Sequence, residues 1–155
     1  KIQKRIAMYH GSLDQKTQGH FDIIERAVPL FEKIIVAIGS NSNKKYMFPL
    51  EKRMEWIRET VKVFPNVEVD FFEGLTIDYC SERKAPYIIR GLRNPADFEF
   101  EKAIAHTNRT LAKKRIETVF FLTSSGKSFI SSSIVREIIK YKGDYEVLVP
   151  DAVRI

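Results

Sequence analysis

Three groups of residues in this chain could handle phosphate, and they lie far apart in the sequence. The first is Gly11-Ser12, followed by Thr17-x-Gly19-His20. An apolar run from Ile6 to Tyr9 ends there in a tight turn, and helical spacing begins at Phe21. Backbone N–H groups at a helix start are unpaired and attract anions. Gly11 permits close backbone approach, and Ser12 offers a hydroxyl and an N–H. His20 could donate to a phosphate oxygen or could serve only as a cap. The second group is Arg90-Gly-Leu-Arg93. A guanidinium at the end of an apolar strand needs a carboxylate or phosphate partner. The third is Ser131-Ser-Ser133, a helix N-cap whose hydroxyls also suit an anion. Lys44-Lys45 add cations in a turn-rich loop, where solvated surface is the commoner reading.

The elements that must position these groups alternate. Arg5–Tyr9 reads as a buried strand, and Phe21, Ile24, Val28 and Phe31 mark one face of a helix that Pro29 helps to stop. Lys33 to Ile38 is a nearly continuous apolar strand, the pattern of one covered on both faces. Pro49 opens a helix through Leu50, Met54, Ile57 and Val61, with Trp56 flanking the core. Val67–Phe72 is a third strand and Leu75 to Arg83 a short helix. Tyr87 to Arg90 is a fourth strand, followed by a long helix from Pro95 to Leu111. Thr118–Leu122 is a fifth strand, and a last helix runs through Ile134, Ile138 and Tyr141 to Gly143. The expectation is an α/β fold: one Rossmann-like, five-stranded parallel sheet with helices on both faces, in a single domain spanning 1–155. Ligands of such sheets sit beyond the carboxyl ends of the strands, near a switch in strand order. All three phosphate-handling groups fall just after strands.

The bulk composition narrows the partners. At 44% hydrophobic and 30% charged the chain is globular rather than disordered. No apolar run approaches the roughly 20 residues needed to cross a bilayer, so no membrane partner is expected. The first residues lack the long apolar segment of a secretory signal, and they also lack a methionine. Cys80 is alone and forms no intramolecular disulfide, so a reducing cytoplasm is expected. The net charge of +6 is uneven. Residues 1–78 hold 12 basic and 11 acidic side chains, whereas residues 79–155 hold 14 and 9. Nucleic acid, a nucleotide or plain solvated surface could each account for that bias.

The motifs that are missing exclude several chemistries. There is no G-x-G-x-x-G after the first strand, no G-x-x-x-x-G-K-[ST] and no G-x-S-x-G elbow. His10, His20 and His106 lack a metal-ligand spacing. Donors and cations remain, without a covalent nucleophile. Residues 11–20 (Gly-Ser-x-Asp-x-x-Thr-x-Gly-His) resemble the T/H-x-G-H signature of the nucleotidyltransferases. Ile130-Ser-Ser-Ser-x-Val135-Arg136 is similar to that superfamily's I-S-S-[ST]-x-x-[RK] signature. Arg90-Gly-Leu-Arg93, Asp97-Phe-Glu-Phe-Glu101 and Ala105-His-x-Asn-Arg109 resemble bacterial phosphopantetheine adenylyltransferases in particular. Lys44-Lys45-x-Met-Phe48 and Glu51-x-Arg53 fit the same family, and the likeness holds in register from Tyr9 to Pro150.

The resemblance implies a nucleotidyltransferase-type fold and the transfer of an adenylyl group from ATP to 4′-phosphopantetheine. The products are dephospho-coenzyme A and pyrophosphate, in coenzyme A biosynthesis. It implies His20, Lys44 and Arg93 as catalytic residues, and Ser12, Lys44, Leu75 and Arg90 for phosphopantetheine. For ATP it implies Ser12, Leu13, His20, Gly91, Leu92, Arg93, Glu101 and the segment Lys127, Ser128, Phe129, Ile130, Ser131, Ser132 and Ser133. It further implies Mg2+ carried with ATP, no nucleic-acid partner and a hexamer. A related acceptor, nicotinamide mononucleotide or glycerol 3-phosphate, stays open, as does a nucleotide- or RNA-binding role without turnover. The family usually reads Tyr/Phe-Pro-Gly-[ST]-Phe-Asp-Pro where this chain has His10, Leu13 and Gln15 in place of proline, phenylalanine and proline. Losing two prolines loosens the loop. His10 either adds a phosphate donor or fills the proline's space, and a departure from the family's site is expected there.

Overall fold

The computed structural model describes residues 4–11, 18–39, 48–123 and 131–149. In chain order these hold β1 (Ile6–Gly11), α1 (Gln18–Ala27), β2 (Lys33–Gly39), α2 (Leu50–Val61), β3 (Val67–Phe72), α3 (Thr76–Glu82), β4 (Tyr87–Leu92), α4 (Pro95–Leu111), β5 (Glu117–Leu122) and α5 (Ser132–Lys140). The chain falls into two compact units, Lys1–Thr123 and Ser124–Ile155.

The first unit carries the whole sheet. Its five strands are parallel and lie in the order β3-β2-β1-β4-β5. Alternation along the strands sorts side chains to two faces. Ala7, Tyr9, Ile34, Val36, Ile38 and Ile89 pack on one face against Ile23, Ile24 and Ala27 of α1 and Met54 and Val61 of α2. Met8, Ile35, Ala37, Phe72 and Ile88 pack on the other against Tyr79 and Cys80 of α3. Ile34 to Ile38 are fully buried because β2 has a strand on either side and a core on either face.

The strand ends differ from the sequence expectation in a way that matters. β1 continues past Tyr9 to Gly11, and β4 past Arg90 to Leu92, because their outer neighbours keep pairing with them. His10 and Gly11 pair with Ala37 and Ile38, while Gly91 and Leu92 pair with Phe121 and Leu122. Two helix ends also move. α1 stops at Ala27 and a 3-10 turn, Val28–Leu30, takes over, since Pro29 removes the N–H that would extend the helix. In the second unit the left-handed residue ending α5 is Lys142, at φ 61°. Gly143 serves close approach instead, since a Cβ there would lie 2.7 Å from Ile138 Cγ2.

Candidate active site

Strand order reverses between β1 and β4, and there the two strands part. Their ladder ends at Tyr9↔Ile89, while each continues with its outer neighbour. His10 and Arg90 are the first residues beyond the parting. A crevice at this topological switch is where open α/β sheets take ligands.

Arg90 bridges the gap. Its Nη1 donates to the His10 carbonyl on β1. Its Nε and Nη2 donate to Glu101 Oε2 and Oε1 on α4, at 3.0 and 2.6 Å. This side-on fork holds the guanidinium in one plane. Glu101 is 8% exposed, and a carboxylate so buried is stable only with such a partner. Of the five N–H groups on Arg90, one on Nη1 and one on Nη2 have no bond among the described residues. They are what the arginine can offer an oxyanion. The resemblance puts Glu101 beside ATP, but both of its oxygens are engaged by Arg90, so its first role is to anchor that guanidinium.

The two histidines are held neutral. Burial, followed by the nearby Arg90 charge, pushes His10 down to about 4, with Glu101 opposing. Its ring packs on Phe72, with centroids 5.5 Å apart. His20 is the third residue of α1, in its first turn, and meets Tyr9 edge-on at 6.3 Å. Burial lowers it from the ordinary histidine value, and the charges of Arg90 and Arg93 lower it further. Two guanidinium groups therefore act on one imidazole, and their field favours an incoming anion.

Arg93 is the outermost of these groups. Its side chain is 77% exposed and lies 3.4 Å from Asp97 through Nε, while its N–H donates to Asp97 Oδ2 at 3.0 Å. The start of α4 is fixed by Asn94, whose Oδ1 accepts from the Asp97 N–H at 2.9 Å, with Pro95 following. Gly91 serves packing, because a Cβ there would lie 2.5 Å from Ile23 Cδ1 of α1. The Leu92 carbonyl accepts the N–H of Thr123 at 2.9 Å. Leu75 is the N-cap of α3 beyond the end of β3, 59% exposed. In the second unit, Ser131 caps α5 by accepting from the Ile134 N–H at 3.3 Å, and Ser132 and Ser133 open the helix. Ser12, Leu13, Lys44, Lys127, Ser128, Phe129 and Ile130 lie outside the described residues. Among the described residues the structure thus gathers His10, His20, Arg90, Arg93 and Glu101 at the switch.

A cytidylyltransferase-like family model matches residues 8–138. The phosphopantetheine adenylyltransferase of Flavobacterium psychrophilum is 62% identical over 151 residues, covering 97% of this chain and 99% of the relative. The chain belongs to the phosphopantetheine adenylyltransferase family. A second adenylyltransferase of this name, from Carboxydothermus hydrogenoformans, is 50% identical over 97% of this chain and 93% of its own length. The lipopolysaccharide core biosynthesis protein of Thermoplasma volcanium shares the fold, with a TM-score of 0.54 at 19% identity over 77% of this chain and 95% of that one.

Two parts of this candidate site escape sequence reading. Arg90 and Glu101 lie 11 positions apart, so their pairing depends on how α4 returns across β4 and has no local spacing signal. Gly39 lies against His10 although a whole helix and loop separate them, and only the β1–β2 register brings them together.

Proposed function

We propose that the switch between β1 and β4 is where this chain joins ATP to 4′-phosphopantetheine. Dephospho-coenzyme A and pyrophosphate are the products. A phosphate oxygen of phosphopantetheine attacks the α-phosphorus of ATP, a new P–O bond forms, and the bond to the β-phosphate bridging oxygen breaks. The nucleophile is already ionised at neutral pH, so no protein base is needed. Catalysis is positioning and charge stabilisation.

The single observation that carries this reading is the Arg90 fork, fixed from two elements and keeping two N–H groups for an oxyanion. Arg90 takes the acceptor phosphate together with Ser12 and Lys44, with Leu75 beside the pantetheine arm. His20 donates to the α-phosphate where charge builds up, assisted by Lys44 and Arg93. The family resemblance assigns Ser12, Leu13, Gly91, Leu92 and the segment Lys127–Ser133 to ATP. The family match over 8–138 spans both compact units and supports one nucleotidyltransferase domain over 1–155.

Magnesium accompanies ATP in this proposal. The described residues do not build a cation cage for it, since Glu101 and Asp97 are engaged by Arg90 and Arg93, and no described trio of potential ligands converges. The metal would come on the triphosphate, and no step above runs through it. A soluble cytoplasmic setting fits a chain in which no described helix is long and apolar enough to cross a membrane. Self-association is supported by α4, where Phe100, Ile104 and Leu111 form an exposed stripe at helical spacing, and the resemblance makes the assembly a hexamer. Light scattering on the eluted protein tests that assembly.

Pyrophosphate release assayed with each candidate acceptor tests the function. Turnover with 4′-phosphopantetheine, abolished by EDTA and restored by Mg2+, is expected. Turnover only with nicotinamide mononucleotide or glycerol 3-phosphate contradicts the reading. RNA binding without turnover contradicts it too.

A further inference from the structure

His10 stands at the parting of β1 and β4, and the chemistry above gives it no role. It stands where the sequence departs from the family's usual pattern. Three contacts define it. Its carbonyl accepts from Arg90 Nη1. Its ring packs on Phe72, which stacks in turn on Tyr79 at 4.6 Å and 18°. Its Nε2 lies only 2.7 Å from the place a Cβ on Gly39 would occupy. Ring and notch are therefore matched: an alanine at 39 and the ring at 10 cannot both stand as they do.

Beyond Tyr9↔Ile89 no ladder bond ties β1 to β4. The Arg90–His10 carbonyl bond takes over that tie, and it also restrains the guanidinium from the side that Glu101 does not hold. We propose that His10 is a positioning residue: its ring, seated in the Gly39 notch against Phe72, fixes the end of β1 and so sets the angle at which Arg90 meets the acceptor phosphate. This rests on the assignment of Arg90 to that phosphate. Burial holds the ring neutral at pH 7, and its Nε2 faces β2, so the ring serves as a wedge and the carbonyl as the contact.

Steady-state kinetics of His10→Ala, Gly39→Ala and the double variant test the proposal. His10→Ala should raise the KM for 4′-phosphopantetheine about 5- to 10-fold, with kcat and the KM for ATP within about twofold. Gly39→Ala should do the same by displacing the ring. In the double variant nothing collides, so its KM should match that of His10→Ala rather than multiply the two effects. Unchanged acceptor KM in both single variants, with only a lower Tm, overturns the proposal, because His10 is then filler. Multiplying effects also overturn it, because the ring is then not in that notch. Should Gly39→Ala not fold, the double variant still reads the coupling. Its failure to fold, with His10→Ala folded, counts against the proposal as well. Arg90→Ala separates the two levels. An unchanged acceptor KM there removes the Arg90 assignment itself, whereas a raised KM with silent His10 and Gly39 variants removes only the role of His10.

Discussion

Arg83 and Arg90 have side chains 27% and 28% exposed, and each grips carboxylates through its guanidinium. Arg83 belongs to a network along β3, an edge strand of the sheet. Its Nη2 meets Glu68 at 2.6 Å and its Nη1 meets Asp70 at 2.8 Å, while Lys33 meets Glu68 at 2.7 Å and the Tyr79 hydroxyl donates to Asp70 at 2.6 Å. Two cations there answer two carboxylates. A lysine hydrogen bond and the Arg83 contacts outweigh burial and hold Glu68 below its ordinary value. Burial raises Asp70, but hydrogen bonds from Tyr79, the Phe71 N–H and Arg83 outweigh it and leave it low. Such charge on an edge discourages pairing with another sheet. At the β1–β4 junction the arginine sits on a central strand that is separating from its neighbour, and its carboxylate partner comes from α4. Arg90 and Arg93 still impose a cationic field on His20 after pairing with Glu101 and Asp97. Density of charge does not mark the site. Position at a strand parting distinguishes the candidate site, and spare donors do not, since Arg83 also has Nε and one Nη2 N–H without a bond among the described residues.

Truncating each arginine should separate the two regions. Arg90→Ala should lower kcat/KM for 4′-phosphopantetheine about 100-fold or more, since it removes a charged donor and strands a buried carboxylate. It should also cost about 3 kcal/mol in denaturant unfolding, for the same reason. Arg83→Ala should leave kcat/KM within about twofold. Equal losses of turnover from both variants would erase the distinction. Glu101→Gln keeps the shape and loses the charge, and should lower kcat/KM about 10-fold, mainly through the acceptor KM.

Acid should weaken the junction before the edge. His10 sits at about 4 when folded, below the 6.5 of a free histidine, so the unfolded chain binds more protons between those values. Stability is then complete above about pH 6.5 and is lost as pH falls toward about 4, by about 1–3 kcal/mol. His20 is shifted the same way and adds to the loss. Urea unfolding at pH 7.5 and 4.5 measures it, and His10→Gln should flatten the difference. Glu68 and Asp70, being depressed carboxylates, lose their contribution only as pH falls below the ordinary carboxylate range. At the edge, Arg83→Ala should cost about 1 kcal/mol and Lys33→Ala under about 0.5 kcal/mol, since these groups are partly solvated. A larger loss from Lys33→Ala would make the edge more than a solvated fringe.

The alternation of strands and helices was legible because short apolar runs alternate with stretches of helical spacing along the chain. β3 and α4 match their expected limits, Val67–Phe72 and Pro95–Leu111. The ends of β1 and β4 did not, because what extends them is pairing with Ala37, Ile38, Phe121 and Leu122, and a strand does not encode its neighbours. The need of Arg90 for a carboxylate or phosphate partner was readable from a charge ending an apolar strand, but its pairing with Glu101 was not. The room that Gly91 leaves for Ile23 has no signal in the sequence. His10 was marked as a departure from the family pattern, and the notch that receives it became visible only with Gly39 alongside.

Calorimetric titration of 4′-phosphopantetheine into the native chain, Arg90→Ala and Arg83→Ala tests the central claim without depending on turnover. Arg90→Ala should weaken binding about 100-fold, and Arg83→Ala should bind within about twofold of native. Native affinity in folded Arg90→Ala would contradict the account, because the acceptor phosphate would then have its site elsewhere.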